Sequence, residues 1–127
     1  MKTLNFTILI IVTIMLSNCN IIKSKDYKTA QKKTNFDIES INNEGIIVTK
    51  GTFLSYEFCI PNNEPSNTEV KKIDSKISIY ISAKGRIGCS KKEVLCIGNT
   101  ENKNYRETLI KLSKLNYVKN INESLFE

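Results

Sequence analysis

The chain has 127 residues and a formal net charge of +6 at pH 7, and it contains no histidine or tryptophan. This length fits one domain, and a composition that is 40% hydrophobic and 25% charged is that of a globular protein. The absence of histidine removes the commonest general base and the commonest metal ligand, and the excess of lysine over arginine favours solubility over phosphate-specific recognition of nucleic acid.

The N-terminus has the pattern of an export signal. Lys2 is followed by an apolar run over residues 6–16, which is shorter than the roughly 20 residues of a membrane-spanning helix and fits the core of a secretory signal. The run ends in LSNC at 16–19, which resembles the lipobox of bacterial lipoproteins. The resemblance implies a signal peptide at 1–18, acylation of Cys19 with palmitate or a similar lipid, and attachment to a cell-envelope membrane, periplasmic or surface-exposed. An ordinary secretory signal and an uncleaved membrane anchor are the alternatives.

The segment after Cys19 lacks a regular hydrophobic period. Residues 19–45 are rich in Lys, Asn and Ser, which predicts a polar, solvated tether with no more than a short helix at 27–33. The small folded domain is then expected at 46–127. It opens with a brief β-like run at 46–50, and a hairpin of this run with 53–60 would add an edge strand or change the order of the sheet.

Within 46–127 the hydrophobic periodicity predicts strands and helices in alternation. Polar and apolar residues alternate at 52–60, as in a half-buried strand, and Pro61 ends it. The later elements are a helix ending at Asp74, strands at 76–82 and 93–98, a helix at 104–115 and a strand at 117–126. This order is the ferredoxin-like βαββαβ arrangement, a two-layer α+β sandwich. This arrangement consists of two βαβ halves. The related hexapeptides FCIPNN and LCIGNT, at 58–63 and 95–100, support it because each lies at the end of the first strand of one βαβ half.

The alternation also predicts which strand residues face the helices. The apolar residues expected inside are Leu54, Tyr56, Phe58, Ile60, Ile77, Ile79, Leu95 and Ile97. The opposite, open face of the two central strands would then carry Ser55, Glu57, Cys59, Val94 and Cys96. This set contains no aromatic side chain, whereas RNA-recognition modules of this topology stack bases on aromatic residues there. Nucleic-acid binding is therefore excluded.

The cysteine positions predict one disulfide in the exported chain, because disulfides persist in oxidising compartments. We take the two central strands as parallel neighbours, with Cys59 and Cys96 at matching positions on the open face. Neighbouring strands lie about 4.8 Å apart, within the Cα separation of roughly 4.4–6.8 Å that a disulfide requires. The prediction is a Cys59–Cys96 bridge with Cys89 free. A Cys89–Cys96 bridge, with residues 89–96 folded back as a hairpin, is the alternative.

Two groups of residues are candidates for binding. Tyr80 and Val94 would lie with the cysteine pair on the open face and form a docking surface. Arg86 lies in a glycine-containing loop, where Lys84 and Lys91 raise the local positive potential, so these three residues are candidates for contact with an anion. A solvated basic loop is the alternative interpretation.

The sequence therefore predicts a membrane-anchored binding module with a protein partner in the cell envelope. We expect no enzymatic activity, no cofactor and no metal. A second hypothesis is a thiol-based protein that handles a soft metal or redox equivalents through Cys59 and Cys96, with Cys89 as a third thiol. A weaker hypothesis is an inhibitor resembling protease propeptides, with residues 122–127 as an extended C-terminal segment.

Overall fold

The structure, a computed structural model, describes residues 24–125. The predicted signal peptide at 1–18 and the lipidated Cys19 lie outside these residues. In chain order the described elements are helix α1 at 24–33, a short 3-10 helix at Ile38–Ser40, β1 at Ile46–Ile47, β2 at Thr52–Phe53, β3 at Ser55–Pro61, α2 at Glu64–Ile73, β4 at Ser78–Tyr80, β5 at Glu93–Asn99, α3 at Tyr105–Lys114 and β6 at Asn122–Glu123. The predicted α+β class is confirmed.

The main sheet has four strands in the order β4–β5–β3–β6, and all neighbouring strands are antiparallel. β3 and β5 pair over seven residues each, from Ser55 opposite Asn99 to Pro61 opposite Glu93. The prediction that these two central strands are parallel is wrong. The chain leaves β3 through α2 and returns in β4, which runs parallel to β3. The loop at 81–92 then reverses the chain, so β5 enters between β3 and β4 antiparallel to both.

The antiparallel register decides which side chains face the helices. Tyr56, Phe58 and Ile60 are fully buried in β3, and they lie opposite Gly98, Cys96 and Val94 of β5. All three β3 residues join the same core as residues of α2 and α3, for example Val70 and Leu109. The absence of a side chain at position 98 is required, because a Cβ there would lie 2.4 Å from the ring of Tyr56.

The prediction that Leu95 and Ile97 face the helices is wrong by one residue. These side chains lie opposite Cys59 and Glu57, on the other face of the sheet. Residues of one strand alternate between faces, so placing Cys96 opposite Phe58 turns Leu95 and Ile97 away from the core. Periodicity alone could not choose between the two faces of β5, since the sequence VLCI is apolar throughout.

Residues 24–45 belong to the folded structure, so the predicted solvated tether is wrong for this part of the chain. Ala30, Ile38 and Ile41 are at most 1% exposed. Thr34 forms a parallel bridge with Ile121, which places the segment beside β6. Its apolar residues are too widely spaced to show a period, and they are buried by elements that come much later in the sequence.

The hairpin considered for residues 46–60 does form, but it stands apart from the main sheet. β1 and β2 make a separate two-stranded antiparallel sheet, with Ile46 opposite Phe53 and Ile47 opposite Thr52. Gly51 adopts a positive φ of 67° in the turn, a conformation that glycine adopts without steric cost. The order of the main sheet is therefore unaffected by this hairpin.

Two buried tyrosines differ in their hydrogen bonding, so we expect the same substitution to affect stability differently at the two positions. The hydroxyl of Tyr105 lies 2.9 Å from the carbonyl oxygens of Ile41 and Asn42 and donates to them, whereas the hydroxyl of Tyr56 is buried without a hydrogen-bond partner among the described residues. Tyr105→Phe is expected to lower the free energy of unfolding by about 1–2 kcal/mol. Tyr56→Phe is expected to leave it unchanged or raise it, because no bond is lost.

Urea unfolding of the two variants and the wild type measures both effects. Each substitution removes one hydroxyl from a side chain that is at most 2% exposed, so each serves as the control for the other. Equal destabilisation by the two substitutions would contradict the hydrogen bonding described here.

Candidate binding surface

The face of the sheet opposite the helices is partly covered by the 81–92 loop, which connects β4 to β5. A disulfide joins Cys89 of this loop to Cys59 of β3, with the two Cα atoms 5.5 Å apart. The predicted Cys59–Cys96 bridge, with Cys89 free, is therefore wrong. The cause is the antiparallel register, which places Leu95 opposite Cys59 and turns Cys96 into the core on the helix side.

A carboxylate provides a second attachment of the loop. Glu57 lies two residues before Cys59 on the same face, is only 3% exposed, and its Oε1 accepts a hydrogen bond of 2.6 Å from the backbone N–H of Ile87. The backbone at Gly85 lies directly over Leu95, where an added Cβ would be 2.7 Å from a leucine methyl group. This contact explains why Leu95 is buried although it faces away from the helices.

Hydrogen bonds within the loop define its course. The carbonyl oxygen of Lys84 accepts from the N–H groups of Gly88 and Cys89, at 3.1 and 2.8 Å. The N–H of Ser90 donates to Oε1 of Glu93 at 2.9 Å. The loop is thus fixed by its own backbone, by the disulfide and by the buried carboxylate of Glu57.

The three residues predicted to contact an anion lie on this loop, and all are exposed. The structure brings Lys84 and Lys91 to one cleft, together with Ser82 and Ser90. Arg86 lies on the same loop but does not line that cleft. The anion contact itself remains a prediction.

The two residues predicted to form a docking surface have different positions. Tyr80 is 47% exposed and lies opposite Leu95, on the face away from the helices as predicted. Val94 is fully buried, so its assignment to the surface is wrong. Its partner across the strands is Ile60, and this pair faces the helices.

Sequence reasoning missed Ile81, which is 71% exposed beside Tyr80. In a strand running over 76–82, Ile81 would share the face of Ile77 and Ile79 and would point toward the helices. However, β4 ends at Tyr80, and side chains alternate between the two faces of a sheet only within a strand. The left-handed backbone at Ser82, with φ of 66°, marks where the chain turns away.

β4 is an unpaired edge of the main sheet, since no described strand lies beyond it. The other edge, β6, continues from Ile121, which forms the bridge to Thr34 and whose N–H donates to the carbonyl of Lys33 at 2.8 Å. The two edges therefore differ: one is joined by the N-terminal segment, and the other presents its main chain next to two exposed apolar residues.

The thiols predicted to act together do not share a site. Cys59 is oxidised in the disulfide, and Cys96 is a buried free thiol. Burial raises the pKa of the Cys96 thiol to about 12, although Lys71 lowers it in part, so the thiol is protonated at neutral pH and is a poor nucleophile or metal ligand. Within residues 24–125 there is no group of three or more His, Cys, Asp or Glu side chains that could hold a metal ion.

The segment predicted as an extended C-terminal arm is partly paired within the sheet. Its residues Asn122 and Glu123 form β6 and lie opposite Glu57 and Tyr56. Ser124 continues this attachment, because its N–H donates to the carbonyl of Ser55 at 2.8 Å. This part of the C-terminal segment is therefore an edge of the chain's own sheet.

Comparisons with known proteins identify no relative. No family model matches the chain, and no curated protein or solved structure matches it. None of the helices in the described part of the chain is long and apolar enough to cross a membrane. The function is therefore inferred from the residues and geometry given above.

The disulfide predicts a large dependence of stability on redox state. Cys59 and Cys89 are separated by 30 residues, and closing a loop of this length contributes about 3–4 kcal/mol by restricting the unfolded chain. Reduction, or the double substitution Cys59→Ser/Cys89→Ser, is expected to lower the free energy of unfolding by about that amount. Urea unfolding with and without dithiothreitol measures it.

The double variant is also the control for the reductant. Dithiothreitol should bring the wild type to the stability of the variant and leave the variant unchanged. A wild type whose unfolding curve does not respond to the reductant would contradict the Cys59–Cys89 bridge.

Proposed function

We propose that this protein is a lipoprotein held in a bacterial cell-envelope membrane by acyl chains on Cys19. The support is the lipobox resemblance at 16–19 together with the Cys59–Cys89 disulfide, since disulfides persist in exported proteins and are rare in the cytosol. Each buried methylene contributes about 0.8 kcal/mol, so two or more acyl chains hold a protein stably at a membrane.

The ferredoxin-like arrangement remains part of this proposal. The strand order β6–β3–β5–β4 places β5 between the parallel strands β3 and β4, as a split βαβ unit does. Residues of α2 and α3 share one core with the buried face of β3. A two-layer sandwich of this kind leaves the other face of the sheet to loops and to partners.

The domain at the membrane acts as a binding module for a protein partner, and the observation that carries this proposal is the β4 edge. Tyr80 and Ile81 are exposed at the edge strand, and edge strands pair readily with an extended segment of another chain. Tyrosine is among the residues that contribute most to protein interfaces. Ile81 begins the disulfide-anchored 81–92 loop, so the surface is formed before a partner binds.

A non-enzymatic role is proposed because the chain offers little for catalysis. It contains no histidine, two of its cysteines are joined in the disulfide, and the pKa of the Cys96 thiol is raised by burial. The buried carboxylate of Glu57 is engaged by the backbone of the 81–92 loop. The disulfide and the carboxylate of Glu57 thus have structural roles, since both attach the 81–92 loop to β3.

Lipid attachment is tested by metabolic labelling with tritiated palmitate in bacteria that express the full chain. The wild type is expected to carry the label and to sediment with membranes, because Cys19 is the acylated residue. Cys19→Ser is expected to lose both properties. Cys96→Ala, which removes a different cysteine, is the matched control and should keep the label. Labelling of Cys19→Ser, or an unlabelled wild type, would refute the anchor.

Docking at the β4 edge is tested by photo-crosslinking in intact cells. Benzoylphenylalanine in place of Ile81 is expected to give a discrete protein adduct, and Tyr80→Lys in the same chain should abolish it by placing a charge in the apolar contact. Because Tyr80 is half exposed, this substitution should change the free energy of unfolding by only about 0.5 kcal/mol.

The control position for crosslinking is Val48, which is 69% exposed but lies in the turn between β1 and β2. Benzoylphenylalanine there should give no such adduct. An equal adduct from position 48, or none from position 81, would overturn docking at β4 while leaving the lipid anchor untouched.

A further inference from the structure

A cleft of about 310 Å³ lies between the end of β3 and the 81–92 loop. Lys84 and Lys91 line it together with Ser82, Ser90 and Asn62. All five residues carry a hydrogen-bond donor in the side chain, and the two lysines are cations. The cleft therefore has the composition of a site for an oxygen-rich anion.

The charge balance of the cleft is positive. Neither Lys84 nor Lys91 forms an ion pair among residues 24–125. Glu93 also lines the cleft. Its Oε1 accepts a hydrogen bond of 2.9 Å from the backbone N–H of Ser90, which stabilises the turn at Ser90. The lining therefore contains two lysines and one carboxylate that is hydrogen-bonded to the backbone.

The backbone of the cleft is held in place before any ligand binds. The disulfide-bonded Cys89 lies between the two lysines in sequence and attaches this part of the loop to β3. The carbonyl of Lys84 accepts two backbone N–H groups. The carbonyl of Lys92, next to Lys91, accepts the N–H of Asn62 at 2.9 Å. Little conformational entropy is then lost on binding at these positions.

Ser82 adds an independent observation. It adopts a left-handed backbone with φ of 66°, a conformation that is sterically unfavourable for a residue with a side chain. Strained residues of this kind concentrate at sites of ligand binding. Ser82 lines the cleft itself.

We propose that this cleft binds a phosphate group, supplied either by free phosphate or by the phosphodiester headgroup of an anionic lipid. The lining residues carry two ammonium groups, two hydroxyls and an amide, and these groups match the charge and acceptor oxygens of phosphate. No arginine lines the cleft, so binding depends on lysine point charges without a bidentate contact. The cleft contains neither Tyr80 nor Ile81, although Ser82 directly follows Ile81 in the chain. Only the lipid source of the phosphate depends on the proposed membrane anchor.

The test is a binding titration of the ¹⁵N-labelled full chain in non-ionic detergent at constant ionic strength. Binding is measured from the NMR signals of the backbone amides. The probes are inorganic phosphate and glycerophosphoglycerol, which is the deacylated headgroup of phosphatidylglycerol. At least one probe is expected to bind saturably, with a Kd on the order of millimolar, and to shift the amide signals of residues 82–91. Tighter binding of the diester identifies a lipid headgroup as the source, and tighter binding of inorganic phosphate identifies free phosphate.

Two double substitutions that remove the same charge distinguish a defined binding site from general electrostatic attraction of the anion to the protein. Lys84→Gln/Lys91→Gln should weaken binding by at least about tenfold. Lys72→Gln/Lys103→Gln removes the same charge from exposed positions outside the cleft and should leave the Kd unchanged. All four lysines are exposed, so both variants are expected to fold. Equal weakening in the two variants, or no saturation with either probe, would overturn the site.

Discussion

The antiparallel register of β3 and β5 is the constraint on which the rest of the structure depends. Because side chains alternate between the two faces of a sheet, one register assigns every residue of both strands at once. The opposed pair Phe58 and Cys96 faces the helices, and the next pair, Cys59 and Leu95, faces the other way. A shift of β5 by one residue would bring Leu95 into the core between sheet and helices and would move Cys96 to the face covered by the 81–92 loop.

This register also produces the surfaces to which we assign binding. With Cys59 on the face away from the helices, the disulfide to Cys89 draws the 81–92 loop across that face. The loop buries Leu95 and Glu57, so the middle of the face is closed and the exposed features lie at its margins. One margin is the β4 edge, where the loop begins. The other is the lysine-lined cleft, which is lined by residues from the start of the loop and from its return to β5. The disulfide-anchored loop therefore contributes to both surfaces.

The sequence predicted the elements well where the information is local, and it failed where the information is non-local. The α+β class and the successive strands and helices follow from hydrophobic periodicity. The prediction of parallel central strands does not follow from the βαββαβ order, because in that order β5 enters antiparallel between the parallel strands β3 and β4. Three cysteines do not determine a pairing, and the error in strand direction led to the wrong one. Likewise, Ile41 is buried beside α3, where the hydroxyl of Tyr105 donates to its carbonyl, although 64 residues separate them in sequence.

The most direct test of this account is peptide mapping of the full chain, alkylated without reduction in the native state and again after unfolding. One cross-linked peptide pair containing Cys59 and Cys89 is expected. Cys96 should be protected in the native protein and alkylated once the protein is unfolded, because its thiol lies in the core. A linkage from Cys96 to either of the other two cysteines, or alkylation of Cys59 in the native protein, would contradict the register and the binding surfaces derived from it.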